Sequence, residues 1–255
     1  MNTKNAWELL LFVILPYVSL TIFLLGHIWR YRFDQFGWTS RSTQLYEKKL
    51  LLLGSPLFHY GTLLAIGGHA LGLLIPASWT EAIGLTERPY NLLAEVAGTT
   101  SVVLIIIGLV VLTVRRAARD RVRQATTKLD LAAFSILWVM ILLGFGQTVI
   151  FNLLGPGYDY RPTISVWMRG IFSLQPDVAD LSGVPTLYMV HITMAWVYLA
   201  LFPFTRFVHF WSMPVWYLSR PFVVYRRRRR EALLSPGESK RWQTVGDPTR
   251  NERPR

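Results

Sequence analysis

Long apolar stretches and short polar, basic stretches alternate along this chain. Trp7–Ile28, Leu50–Ile75, Leu92–Val114, Leu129–Leu154 and Val184–Trp211 each hold enough apolar residues for a membrane-crossing helix, which needs about 20. None shows the period-2 alternation of a half-buried strand. The pattern predicts an all-α, integral membrane bundle of five transmembrane helices. Pro16 lies inside the first stretch, Pro56 inside the second and Pro203 inside the fifth. Proline removes a backbone donor and crowds the preceding turn, so a break is expected at Pro56 and a kink at Pro203. The second stretch is rich in glycine (Gly54, Gly61, Gly67, Gly68, Gly72). Small residues permit close backbone approach in membrane helices.

Charge then orients the bundle. The net charge is +12 and the mean hydropathy is +0.32. Nucleic-acid binding is a poor reading of that charge, because the basic residues sit at the ends of apolar stretches. One lysine, Lys4, precedes the first span, and the loops that follow carry five, one, six and two Lys or Arg before a heavily basic tail. Basic residues stay on the cytoplasmic side, so the N-terminus is expected outside and the C-terminus in the cytoplasm. Residues 1–221 read as the membrane domain. Residues 222–255, with the run Arg226 to Arg230, read as a flexible tail suited to anionic lipid or a partner subunit. The first stretch lacks a convincing signal-peptide cleavage pattern and is expected to be a retained helix. There is no cysteine, which excludes disulfides, cysteine-ligated iron–sulfur clusters and thiolate zinc sites in this chain.

Candidate chemistry lies in four histidines. His59 and His69 are on the second span, His191 and His209 on the fifth. With the orientation above, His59 and His209 lie toward the cytoplasm, and His69 and His191 toward the outside. Histidine inside a membrane span usually faces a protein interior or a functional path. Two imidazoles facing each other between antiparallel helices are the axial ligand set of a low-spin b-type haem, and two such haems in series make an electron path across the bilayer. A copper or zinc site fits less well, since no carboxylate or thiolate accompanies the histidines. Eighteen residues separate His191 from His209, roughly 27 Å along one continuous helix, with both rings on one face. Ten residues separate His59 from His69, about 15 Å and roughly 280° of rotation. The two spacings therefore need tilt, or the kink at Pro203, to be reconciled. Glycines beside His59 and His69 suit close approach of a flat macrocycle. Arg116 and Arg206, near the depth of His209, are the candidate cations for haem propionates. His27 has no partner at its depth and is read as interfacial.

The stretches LFHYGTLLAIGGHALGLLIP, RVRQATTKLD and LFPFTRFVHFWSMPVWYLSRP, with GHIWRYRFDQFGWTSRSTQ earlier, resemble the gamma subunit of the respiratory nitrate reductases. The likeness runs in one register to about Pro221 and includes both histidine spacings. It implies a di-haem cytochrome b in a bacterial or archaeal cytoplasmic membrane. Such a subunit oxidises menaquinol or ubiquinol from the quinone pool at the outer side. It passes electrons through an outer haem (His69, His191) and an inner haem (His59, His209) to an iron–sulfur beta subunit. A molybdenum-containing alpha subunit, also on the cytoplasmic face, then reduces nitrate to nitrite. Gly68 would leave room for the quinone ring. The family's quinol-binding lysine after the second span is absent here. Arg88 or Tyr90 takes its place in this reading, with Glu87 or Glu95 as the base. Two alternatives stay open: a haem b anchor of a different quinol-linked oxidoreductase, such as a heterodisulfide-reductase-like complex, and a haem-free membrane scaffold.

Overall fold

A computed structural model describes residues 3–40 and 42–212 of the chain, with side chains from residue 6 onward; the basic tail lies outside the described residues. The chain divides into two units between Met213 and Pro214, and every described residue lies in the first. Among the described residues, five helices are long and apolar enough to cross a membrane: α1 (Ala6–Phe33), α2 (Lys49–Leu74), α3 (Glu87–Ala118), α4 (Lys128–Leu153) and α5 (Thr186–Phe204). There is no strand among the described residues. Large apolar side chains such as Leu24, Leu25, Ile28, Leu142 and Ile150 face outward, as lipid-facing surfaces require.

α2 and α3 form the most extensive helix pair, and glycine makes it so. A Cβ at Gly61 would lie 2.9 Å from the Ser101 carbonyl, and one at Gly108 would lie 2.8 Å from the Gly54 carbonyl. Ser101 Oγ donates to Gly61 O at 2.9 Å across the seam. Gly54 and Gly61 therefore serve helix approach, and not a macrocycle as their nearness to His59 implied. Gly67 and Gly68 have no neighbouring atom within 4 Å of a built Cβ. The other close pairs are α1 with α5, α4 with α5, and α3 with α4. α2 and α5, which carry His59, His69 and His191, are not among the closely packed pairs.

The prolines act differently from expectation. Helix geometry runs unbroken through Pro56, from Lys49 to His69, and the distortion comes later as a π-helical turn at Ala70–Leu74. Proline is tolerated in membrane helices where neighbours absorb the lost bond. Pro16 follows another π-helical turn, Leu10–Ile14. Its missing N–H leaves the Phe12 carbonyl without the usual i+4 donor, and the Trp167 indole N–H supplies one at 2.9 Å. Trp167 belongs to the short helix Ile164–Phe172, whose Ser165 hydroxyl donates to Gly72 O at 2.7 Å in the α2 π-turn. One amphipathic helix thus satisfies carbonyls at two irregular turns. It also completes a core of Phe12, Ile164, Trp167, Ile171, Leu181, Tyr188, Ile192 and Trp196.

The fifth span is not one helix. It is α-helical to Leu201, tightens to a 3₁₀ turn at Phe202–Phe204, opens to extended backbone at Thr205, and resumes as 3₁₀ turns over Arg206–Ser212. The expectation of a continuous helix, with His191 and His209 on one face, is corrected by this break. The Thr205 hydroxyl takes both sides of it, donating to Phe202 O at 2.9 Å and accepting from the Phe207 N–H at 3.2 Å.

Candidate functional site: two facing histidine pairs

Both expected pairs form. His59 and His209 approach with Nε2 atoms 3.4 Å apart and ring centroids 5.8 Å apart. His69 and His191 face each other with centroids 6.5 Å apart and rings nearly parallel, at 19°. Two metal–imidazole bonds of about 2.0 Å span about 4 Å, so the first pair needs only a side-chain adjustment to hold an iron.

Local structure sets which nitrogen each ring presents. His59 Nδ1 lies 2.7 Å from Ser55 O, His69 Nδ1 lies 2.7 Å from Ala65 O, and His209 Nδ1 lies 2.7 Å from Arg206 O. A carbonyl only accepts, so each Nδ1 carries the hydrogen and each Nε2 keeps its lone pair. Such backbone partners orient ligating histidines and raise their basicity. His191 differs. Its Nδ1 is buried without a hydrogen bond of regular geometry, although the Met140 carbonyl stands close to the ring. A Cβ at Gly144 would lie 3.4 Å from His191 Cε1, so α4 approaches this ring closely. The donor set at each pair, and the Nδ1–H tautomer held by backbone in three of the four rings, fit a b-type haem.

Arginines gather at the His59 pair. A cavity of about 440 Å³ is lined by His59, His209, Arg115, Arg116, Asp130 and Arg206, among others. Arg116 stands over the Phe134 ring at 4.5 Å, and its buried Nη1 has no hydrogen-bond partner among the described residues. Arg206 is committed elsewhere: its guanidinium grips Asp130 through two bonds, Nε to Oδ1 at 2.8 Å and a second, shorter one from Nη2 to Oδ2. Asp130 is also the N3 residue of a capping box with Thr127 at the start of α4. Asp130 thus lies at the start of the fourth span, and Arg206 neutralises it.

Residues 8–228 match the nitrate reductase gamma subunit family. The chain belongs to that family. It is 42% identical over 219 residues to the nitrate reductase gamma chain of Bacillus subtilis (strain 168), which covers 86% of this chain and 98% of that one. It is 35% identical over 217 residues to the respiratory nitrate reductase 2 gamma chain of Escherichia coli (strain K12), covering 85% and 95%. The nitrate reductase-like protein NarX of Mycobacterium tuberculosis (strain ATCC 25618 / H37Rv) is 42% identical over 228 residues. That match covers 89% of this chain but spans only 35% of the relative's length.

In this gamma-subunit-family chain the quinol candidates separate. Tyr90 is 2% exposed and its hydroxyl lies 2.9 Å from that of Tyr160. Arg161 stacks on the Tyr90 ring at 3.8 Å and donates to Thr80 Oγ1 at 2.6 Å. Burial, and then the bond to Tyr90, push the Tyr160 hydroxyl above the usual phenol range, so it stays protonated. Arg88 instead lines a groove of about 570 Å³ with Thr86, Glu87, Asn91, Leu92 and Glu95. Arg88 and the two candidate bases therefore line one hollow on the surface at the start of α3, and the buried Tyr90 does not join them. His27 sits in an aromatic cluster with Phe23, Trp38, Phe202 and Trp211, away from both pairs.

Two features escape sequence reasoning. Arg115 pairs with Glu47 at 2.8 Å and also donates to the carbonyls of Thr43 and Glu47, tying the 34–48 loop to the end of α3. The Leu50 N–H, and then Arg115, hold the Glu47 carboxyl below its usual range. Arg30, 3% exposed, binds carbonyls at the α5 break. Along the sequence both arginines read only as topology signals, because a cation at a span end is ordinarily that.

Proposed function

We propose that this chain is the quinol-oxidising di-haem cytochrome b subunit of a nitrate reductase, seated in a bacterial or archaeal cytoplasmic membrane. The observation that carries the reading is the facing of His59 with His209 and of His69 with His191, both between α2 and the broken fifth span. A b haem at each pair supplies one-electron transfer, and two in series link the two faces.

The chain's own residues do the rest. His59 with His209, and His69 with His191, would hold the two haem irons, with Nδ1 held by backbone in three of the four rings. Arg116 meets propionate charge at the His59 pair, while Arg206 acts through Asp130 to seat the turn that carries His209. At the His69 end, the groove of Arg88, Glu87 and Glu95 binds the quinol headgroup: Arg88 bonds a quinol oxygen and a glutamate accepts a proton. Arginine keeps its proton, so it cannot be the base. The open space at Gly67 and Gly68 gives the ring access beside His69. One quinol releases two protons and two electrons. The protons leave on the outer side and the electrons go to iron–sulfur and molybdenum subunits on the cytoplasmic face. There one nitrate takes up two electrons and two protons to give nitrite and water. Charge separation follows from where each half-reaction sits.

The test is a dithionite-minus-air difference spectrum with pyridine haemochrome quantification on wild type and His69→Ala. Two b haems per chain, falling to one in the variant, are expected. A folded wild type without haem sinks the reading.

A further inference from the structure

The His59 pair depends on a segment that is not part of a regular helix, so something must hold it. After Leu201 the backbone tightens, then extends at Thr205, and only then forms the turns that carry His209. Such a break takes carbonyls out of the i→i−4 ladder, and inside a membrane each needs a donor. Arg30, in the last turn of α1, supplies them. Its Nη1 donates to Pro203 O at 2.6 Å and to Thr205 O at 3.2 Å, its Nη2 donates to Gly37 O at 2.6 Å, and its Nε lies 3.5 Å from Asp34 Oδ2. One turn earlier on the same face, Gly26 lets α1 reach the break. A Cβ there would sit 2.8 Å from Pro203 Cβ and 2.9 Å from its Cγ. Downstream, the Thr205 hydroxyl caps the next turn, Val208 is fully buried, and His209 Nδ1 is bonded to Arg206 O. A continuous series of short contacts thus runs from α1 to the imidazole.

We propose that Arg30 is the positioning residue for His209: it clamps the broken end of α5 so that the imidazole meets His59. The clamp needs a planar fork. Three carbonyls lie around two terminal nitrogens of one guanidinium, and a lysine ammonium, a single point with three donors, cannot reach all of them from the same stem. The inference rests on the reading of His59 and His209 as haem ligands. It goes beyond that reading by giving a helix with no ligand of its own a specific hold on one pair.

The experiment uses the full chain in its membrane complex, with Arg30→Met, Arg30→Lys and Gly26→Val compared with wild type and His209→Ala. Haem is counted by pyridine haemochrome, and the low-spin EPR lines of the two haems are followed separately. Arg30→Met is expected to match His209→Ala, with the His59-pair haem lost or converted to high spin and the His69-pair haem unchanged. Arg30→Lys should keep that haem in part, with its EPR lines shifted. Gly26→Val keeps the guanidinium but pushes α1 off Pro203, and should affect the same haem alone. Both haems present with unshifted lines in Arg30→Met overturns the clamp. If Arg30→Met loses both haems, Gly26→Val decides: selective loss at the His59 pair upholds the clamp, and any other result overturns it. A wild type without haem defeats the ligand reading and the clamp together, whereas a di-haem wild type with an indifferent Arg30→Met defeats the clamp alone.

Discussion

His59, His69 and His209 each commit one ring nitrogen to a carbonyl of their own turn, and that small fact orders the chemistry. A fixed Nδ1–H leaves Nε2 as the one ring nitrogen with a free lone pair, the atom that the proposed haem iron would take. The types and positions of these three residues and of His191 were legible along the chain, because ionisable groups stand out in apolar spans. The arginines beside them were legible only as charge. Arg116 and Arg206 look equivalent as candidates, yet Asp130 takes Arg206 and leaves Arg116 with an unpartnered buried nitrogen. Which cation meets an anion depends on what else each touches, and sequence does not state that. Replacing Arg116 by Met should lower the midpoint potential of the His59-pair haem. The fall should be on the order of tens of millivolts, as for a unit charge about 10 Å away in an effective dielectric of about 20. Redox titration checks this, and an unchanged potential removes Arg116 from the propionate role.

At the scale of elements, glycine and proline were visible but their jobs were not. Gly54, Gly61 and Gly108 bring α2 against α3, while Gly67 and Gly68, one turn or two farther on, touch nothing. Pro56 leaves its helix intact, and the break falls at Pro203 and Thr205, where Arg30 and the Thr205 hydroxyl pick up the freed groups. A proline distorts where neighbours can take over its lost bonds, so the outcome depends on side chains far away in sequence. Since α2 carries one histidine of each pair, separating α2 from α3 should cost both haems at once. Gly108→Leu is the test. Overpacking of this kind costs about 1–3 kcal/mol or more, and the variant should lose both haems on mild heating in detergent, in contrast to the single loss from His69→Ala. Retention of either haem at wild-type temperatures contradicts this role for the seam.

For the whole molecule, direction matters more than shape. The separation of proton release from electron delivery requires the His69 end to face outward, and the alternation of basic loops argues for that. The chain has no cysteine, so single cysteines can report topology directly. Glu81 and Arg121 are exposed in the short connecting helices Ala77–Ala82 and Asp120–Gln124, at opposite ends of α3. A membrane-impermeant maleimide should label Glu81→Cys in intact cells and Arg121→Cys only after permeabilisation. The reverse pattern inverts the proposed direction of electron flow. By itself the sequence determined the number of spans, the family and the four histidines, because hydropathy, charge and residue type are properties of position along the chain. The tertiary structure alone decided the break after α5, the short helix Ile164–Phe172 that satisfies the irregular turns of α1 and α2, and the arginine that binds the carbonyls at the break. Each of those follows from an unsatisfied carbonyl finding a donor 93 to 173 positions away, and such a meeting is made only when the helices pack.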